Sequence, residues 1–402
     1  MNRTSATRQR GATRLLIALL GAALAVAACG GSTSNNSSSS QSKAPYQIAF
    51  VTDLTGGNSG NSIGGQAGFN TAVKEINDSG GADGHKLSIT TYDSQSTVAT
   101  HAAVLRQALA TNPAAISGQW LSSSTAGSAS IFASSNVPVV GASYIITGVD
   151  TIPYFFSTSP LSSGVGGGVA NGLKSIFGGS LSGKKVAFEG LVSPAVDGNL
   201  AGTKTAVEAA GGTMGQVVRD PITFSSWSSQ AANVVASKAD AVVVNNTDPN
   251  TATVAKALLV AGFTGPIIST EGANSDDLLK AVNSSQFSVV RETVVPGASD
   301  KLYKDAIAAG AAPDKIAQSY FGKVYAAGYA IAKALAKCGE GCNGTKFASS
   351  LKSLGSFTVP NNALAGPLDF SKSHSGLTSA QVWVWDGSKG TSVQKGSSFS
   401  IV

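Results

Sequence analysis

Charge is scarce in this chain: Asp, Glu, Lys and Arg make up only 12% of its 402 residues. The formal net charge of +6 overstates its basicity, because Arg3, Arg8, Arg10 and Arg14 all lie in the first 28 residues. Without those four, 24 Lys and Arg face 22 Asp and Glu, a balance of +2. So small a charge offers no concentrated basic face, which excludes nucleic acid as a partner. Histidine is down to three scattered residues, His85, His101 and His374, and cysteine to Cys29, Cys338 and Cys342. That leaves no metal-ligand set, and no cofactor is expected. The carboxylates are few and dispersed, so no paired acid and base stands out. The motifs G-x-S-x-G, H-E-x-x-H and G-x-x-x-x-G-K-[ST] are all missing. Gly164–Gly168 fails G-x-G-x-x-G because Val169 falls where the last glycine belongs. Nothing here argues for an enzyme. Nor is there a long apolar run: Leu15–Val26 spans 12 residues, too few to cross a bilayer comfortably.

That short run instead reads as the core of a secretory signal peptide over residues 1–28, preceded by arginines and followed by small residues. Val26-Ala27-Ala28-Cys29 resembles the bacterial lipobox, in which cleavage leaves a cysteine that is then acylated. Cys29 is therefore the expected lipid attachment point, with the protein on the extracytoplasmic face of the membrane. Residues 29–45, with the run GGSTSNNSSSSQSKAP, form a tether. A Gly/Ser-type coil of that length reaches about 20–25 Å. In an oxidising compartment, Cys338 and Cys342 are expected to pair as a disulfide at a helix end.

From Tyr46 the chain alternates short apolar runs with amphipathic ones. Strands are expected near Gln47–Val51, Leu87–Tyr92, Ile116, Val137–Val140 and Tyr154–Phe156. Helices fall between them, at Gly65–Asn77, Val98–Leu109 and from Ala126 to Phe132, with Ser122–Thr125 as the loop leading in. The rhythm restarts after Pro160, with strands at Lys185–Phe188, Val217–Val218, Ala241–Val244, Pro266–Ser269 and Val289–Val295. Helices are expected at Val165–Phe177, Leu200–Ala210, Gln230–Ala236 and Thr251–Ala261. A helical stretch follows, with one long run at Lys315–Lys337, and the chain ends in short β segments. Trp383 and Trp385 share a face there and suit packing better than ligand contact. The pattern implies an α/β fold of two doubly wound parallel-sheet lobes with a cleft between them.

Polar loops follow the strands at Asp53–Ser62, Gln119–Thr125, Gly141–Ile145, Asn245–Asp248 and Thr270–Asn274. In open α/β sheets ligands sit beyond the carboxyl ends of strands, where these loops would meet. The serine loop at Ser122, Ser123 and Ser124 opens a helix, so its hydroxyls and N–H groups suit either an anion or simple capping. Glu271, just past an apolar strand, is either a ligand contact or an exposed acid.

Several stretches together resemble one family. Leu54-Thr-Gly with Gly64–Gly68 opens the first lobe. Glu75-Ile-Asn-Asp-Ser-Gly-Gly-Ala-Asp-Gly84 follows, then Ser122–Thr125, Tyr154–Pro160, Ala261-Gly-Phe263, Thr270-Glu-Gly272, Gly366-Pro-Leu368 and Val382–Gly387. In that order and spacing they resemble the branched-chain amino-acid (Leu/Ile/Val) substrate-binding proteins of ABC importers, in a lipoprotein form. The resemblance implies the type I periplasmic-binding fold with three interlobe crossings. Lobe 1 would then hold residues 46–158 plus 293–368, and lobe 2 residues 159–292 plus 369–402. It implies a monomer that captures an amino acid, or a related small carboxylate or amide, and hands it to ABC permease subunits. A sensing lipoprotein of the same fold is the alternative. The ligand carboxylate would meet Ser122, with Ser123 beside it, and the backbone near Ser143, while Glu271 would pair with the ammonium. Where relatives carry a carboxylate-binding threonine, this chain has Ile145. Their pocket tyrosines align with Asn61, Val196 and a residue near Thr247. Trp120 either replaces a lost aromatic wall or packs in the core.

Overall fold

The apolar runs become the strands of two separate sheets. The computed structural model describes residues 43–270 and 272–401. Cys29 with its leader, the tether residues up to 42, and Glu271 lie outside the described residues, while residues 43–45, expected in the tether, begin β1. The first series runs β1 (Lys43–Thr52), α1 (Ser59–Asp78), β2 (His85–Asp93), α2 (Val98–Ala110), β3 (Ala115–Ser117), α3 (Ser122–Gly127), α4 (Ala129–Ser135), β4 (Val139–Gly141) and β5 (Phe155–Ser157). The second runs α5 (Val165–Ile176), β6 (Lys185–Leu191), α6 (Pro194–Ala209), β7 (Thr213–Asp220), α7 (Ser228–Ala236), β8 (Ala241–Asn245), α8 (Asp248–Val260), β9 (Ile267–Ser269), α9 (Asp276–Val282) and β10 (Phe287–Arg291). Then come α10 (Lys301–Ala308), α11 (Pro313–Ile316), α12 (Phe321–Cys338), α13 (Gly344–Lys352), β11 (Ser356–Phe357), β12 (Leu368–Asp369), β13 (Ser379–Asp386) and β14 (Thr391–Ser400).

Among the described residues the first sheet has the order β2-β1-β3-β4-β5, all parallel. The second repeats that order as β7-β6-β8-β9-β10 and then adds β13 and β14 antiparallel at its edge. In each sheet the winding reverses beside the first strand of the series, at β1 and at β6. Loops diverge there and leave a crevice at the carboxyl edge. The inner strands are apolar because helices cover both faces: residues 48–52 of β1 and all of β8 are buried.

The helices after β10 return to the first sheet. Tyr325, Val324 and Ile331 of α12 join Phe50, Phe69 and Ile116 in one core. Gly68 lets α1 meet α12 closely, since a Cβ there would lie 2.1 Å from the Phe321 carbonyl oxygen. The chain passes between the sheets after β5, after β10 and after β12. The first two crossings are pinned to α12. Thr158 donates to the Lys323 carbonyl at 2.8 Å, and the Lys323 ammonium meets Glu292 at 3.2 Å with both side chains buried.

Three local features differ from the sequence pattern. The helix expected from Ala126 to Phe132 begins earlier, taking the serine loop in at Ser122, and is broken at Ser128 into α3 and α4. The Lys315–Lys337 run breaks between Ile316 and Phe321, which frees Ser319 and Tyr320 from the helix. Strand β14 has little apolar character because it is an exposed edge. Cys338 and Cys342 are disulfide-bonded at the end of α12. Trp383 and Trp385 pack against the second-sheet core, with the Arg291 guanidinium 5.3 Å from the Trp383 ring centre.

Candidate functional site

The loops at the carboxyl edges of both sheets face one another across a cavity of about 60 Å³. Its walls from the first sheet are Asn58, Asn61, Gln119, Trp120, Leu121, Ser122 and Tyr144, with Tyr320 ahead of α12. From the second sheet come Leu191, Ser193, Ala195, Val196, Asn245, Asn246, Thr247 and Gly272. A larger hollow of about 560 Å³ lies by Pro160, Leu161, Leu377 and Ile401, beside the crossings and away from these loops. The smaller cavity is the candidate site because the strand-end loops converge on it from both sheets.

Asp53, fully buried at the end of β1, organises the first wall. Its carboxylate accepts from Asn58 Nδ2 at 2.8 Å, the Leu121 N–H at 3.1 Å, the Ser96 N–H at 3.2 Å and the Ser94 hydroxyl. One side chain thus ties together the loops after β1, β2 and β3. Burial raises its pKa above the usual carboxylate range, and these hydrogen bonds pull it back. Asn58 also donates to Gln119 Oε1 at 3.1 Å, which presents both amides to the cavity. Gly118 makes the turn after β3 possible: its φ is +133°, and a Cβ there would fall 1.7 Å from the Val51 carbonyl oxygen.

Trp120 is 2% exposed; it both lines the cavity and packs in the first-sheet core. One part lines the cavity, while the ring stacks on Phe132 at 5.9 Å and packs 5.1 Å from His101. Its Nε1 donates to Thr125 at 2.8 Å. Burial lowers the His101 pKa to about 4, so that imidazole is neutral at physiological pH.

The second wall is built around Asn246. Its Oδ1 accepts from the Thr247 N–H at 2.9 Å and Asn250 Nδ2 at 3.0 Å, and its Nδ2 donates to the buried Glu189 at 2.7 Å. Helix α6 starts at the cavity, with Pro194 in its first turn and the Ser193 hydroxyl accepting from the Val196 N–H at 3.4 Å. Across the gap Ser122 Oγ accepts from the Ala195 N–H at 3.2 Å. A second tie between the walls runs through Ser319, whose hydroxyl meets Asp248 at 3.3 Å and accepts from the Asn274 N–H at 3.0 Å. Burial raises the Asp248 carboxyl to about 6. The two walls are therefore in direct contact.

Of the residues singled out from sequence, Ser122, Trp120, Asn61, Thr247 and Val196 line the cavity. Ser123 does not. Ser143 is buried, and its hydroxyl is occupied by the Trp120 backbone, accepting from the N–H and donating to the carbonyl, both at 2.9 Å. It holds the loop while its neighbour Tyr144 reaches the cavity. Ile145 bridges to Leu161 and packs in the first-sheet core instead of the cleft. Glu271 and Cys29 lie outside the described residues, but Gly272 lines the cavity, and a Cβ on it would sit 3.1 Å from the Tyr144 hydroxyl. Sequence reasoning passed over the Leu191–Ala195 segment and Tyr320. Ser193-Pro194 directly after an apolar strand was a usable signal, since Ser at an N-cap followed by Pro marks a helix start. Tyr320 had no such signal, because it sits inside a run with helical periodicity.

Among the described residues no cluster of His, Cys, Asp and Glu could hold a metal ion, and no helix is long and apolar enough to cross a membrane. No curated protein is similar enough in sequence to match the chain. Solved structures of the same fold are numerous. A fatty acid ABC transporter substrate-binding protein from Thermomonospora curvata superposes with a TM-score of 0.76 at 18% identity, over 88% of this chain and 92% of its own. A branched-chain amino acid transporter substrate-binding protein from Streptococcus pneumoniae, in complex with isoleucine, gives 0.72 at 18% identity, over 89% and 99%. An ABC transporter solute-binding protein from R. palustris, in complex with 4-hydroxybenzoate, gives 0.72 at 17%, over 89% and 97%. The family model of the periplasmic binding protein matches residues 45–391. Nearly the whole described chain thus falls within one match, and it belongs to the periplasmic binding protein family.

Proposed function

We propose that the chain captures a small solute between its two sheet-centred lobes and delivers it to an ABC permease, from the outer face of the membrane where Cys29 anchors it by lipid. The solute is an amino acid of branched-chain type or a related small carboxylate or amide. The observation that carries this reading is the contact between Ser122 and the first turn of α6 at Ala195, across a cavity walled by both sheets. A carboxylate placed there meets a hydroxyl from one lobe and helix N–H groups from the other, so binding favours the closed arrangement. Glu271, beside the lining residue Gly272, is the partner assigned to an ammonium group.

The described lining also favours amides as a second class. Asn58, Asn61, Asn245, Asn246 and Gln119 supply paired donors and acceptors, and no described lining side chain carries a charge.

Thermal unfolding against L-isoleucine, other amino acids, short amides and 4-hydroxybenzoate tests the reading. Ligand at 100 times its dissociation constant adds about 2.7 kcal/mol, a rise of a few degrees. A rise with amino acids that Glu271→Gln abolishes supports the zwitterion arrangement. A rise with amides alone removes Glu271 from that role, and no rise with any of them refutes the reading.

A further inference from the structure

Glu189 is a buried acid that neither wall of the cleft uses directly. It lies on β6, at the point where the second sheet reverses its winding, and has no exposed surface. Its Oε1 accepts from Asn246 Nδ2 at 2.7 Å, whereas its Oε2 accepts nothing. Leu191 of β6 is in register with Asp220 of β7, which puts Glu189, Leu191 and Asp220 on one face of the sheet. Asp220 is itself buried, and its Oδ2 accepts from Trp227 Nε1 at 2.7 Å.

Two carboxyl groups side by side in a dry interior do not both ionise, and the stable arrangement shares one proton between them. An oxygen that accepts no hydrogen bond yet faces a carboxylate is placed to donate. The charged groups facing Glu189 are Asp220 and Arg219, both on β7. Arg219 pairs with Asp197 of α6 and turns its other nitrogens to the Gly190 and Leu191 carbonyls, at 3.2 and 2.6 Å. On the other packed elements, Asn246 after β8, Asn250 of α8 and Trp227 before α7 are neutral. Asp248, at the start of α8, is occupied with Ser275 and Ser319.

We infer that Glu189 keeps its proton, donates a hydrogen bond through it to Asp220, and thereby fixes Asn246 in the wall of the cleft, so that Glu189 is a positioning residue for solute binding. The inference rests on the cleft being the solute site. Asn246 has a defined orientation because its Oδ1 is filled by Thr247 and Asn250, which leaves its Nδ2 to point at Glu189. Loss of the shared proton sets two like charges against each other, and relief comes from moving Glu189 or admitting water. Either one takes away the partner of Asn246 and loosens Thr247 with it. Burial above all, with the Asp220 charge adding to it, raises the Glu189 carboxyl to about 8, so this loss falls just above neutral pH.

The test follows the carboxyl and the cleft separately in the purified protein. Infrared difference spectra from about pH 6 to about pH 10 report the buried carboxylic acid, and the side-chain amide resonance of Asn246 reports the wall. One acid is expected to titrate near pH 8, with the Asn246 resonance moving at the same midpoint. Glu189→Gln, which mimics the protonated acid, abolishes both transitions, and Asp220→Asn lowers the midpoint. Calorimetry with L-isoleucine as the probe gives an affinity about tenfold weaker one unit above the midpoint, and no pH dependence in Glu189→Gln. A titration that persists in Glu189→Gln, an Asn246 resonance that ignores it, or a pH-independent isoleucine affinity overturns the inference. If isoleucine binds at no pH while the acid and Asn246 still titrate together, the amino-acid assignment fails and the proton arrangement stands.

Discussion

Two buried acids belong to equivalent strands in the two halves of this molecule, Asp53 just past the end of β1 and Glu189 within β6, and they are solvated in opposite ways. Asp53 receives four hydrogen bonds from three different loops. Glu189 receives one and faces another acid. Burial pushes both carboxyls upward, but the dense donor shell of Asp53 offsets much of that cost, whereas Glu189 is carried to about 8. Equivalent strands thus carry a many-bonded hub in one lobe and a proton-holding post in the other. Position in the fold sets where a site is organised, and the local count of donors sets how strongly burial raises the carboxyl.

The comparison is broken most severely by Asp53→Ala. That change strands Asn58, the Ser94 hydroxyl and the Ser96 and Leu121 N–H groups in a dry interior. Urea unfolding is expected to show a loss of about 3–5 kcal/mol, with solute binding abolished. Asp53→Asn, which keeps the shape but loses acceptors, should cost less. If the alanine variant loses under about 1 kcal/mol, Asp53 is not the hub of the first wall.

Next in size is the dependence of stability on pH, where the two lobes pull in opposite directions. Glu189 is raised from 4.5 to about 8 when folded, so its contribution is complete below pH 4.5 and is lost as pH climbs through 8. His101, beneath Trp120, is lowered from 6.5 to about 4, so its contribution is present above 6.5 and lost as pH falls through 4. Each limb is on the order of a few kcal/mol. Denaturation across pH should show the alkaline decline vanish in Glu189→Gln and the acid decline shrink in His101→Gln. A decline left unchanged by its own substitution assigns that limb to other groups.

The smallest expected effect lies where the lobes touch. Ser122→Ala removes one hydrogen bond to Ala195 and should cost about 0.5–1.5 kcal/mol in the unliganded protein. It should lower solute affinity more than stability, because the hydroxyl matters chiefly to closure. Calorimetry beside urea unfolding separates the two, and equal losses in both would make Ser122 a cap and nothing more.

The strands were legible because parallel strands covered on both faces need continuous apolar runs, as at Gln47–Val51 and Ala241–Val244. The polar loops were legible as a set, since loops at strand ends cannot be apolar without becoming core. Individual roles within them were not. Ser122 and Ser143 are alike in sequence, yet one hydroxyl faces the cleft and the other is consumed by the Trp120 backbone. Ile145 follows Tyr144 directly, yet it turns into the core while Tyr144 faces the cavity. Strand β14 went unseen because an exposed edge needs no apolar pattern. Gly127 directly precedes the break at Ser128, whereas the break around Ser319 contains neither proline nor glycine, so nothing local marks it.

The sequence by itself determined the alternation of strand and helix, the repeat of that series and the paucity of catalytic chemistry, because periodicity and composition are local properties of the chain. Only the tertiary structure decided which hydroxyls and amides face the cleft, that Trp120 is both wall and core, and that Asp53 and Glu189 hold the two walls in place. Those outcomes depend on hydrogen bonds between residues as far apart as Asp53 and Leu121, or Glu189 and Asn246, whose meeting no local pattern records.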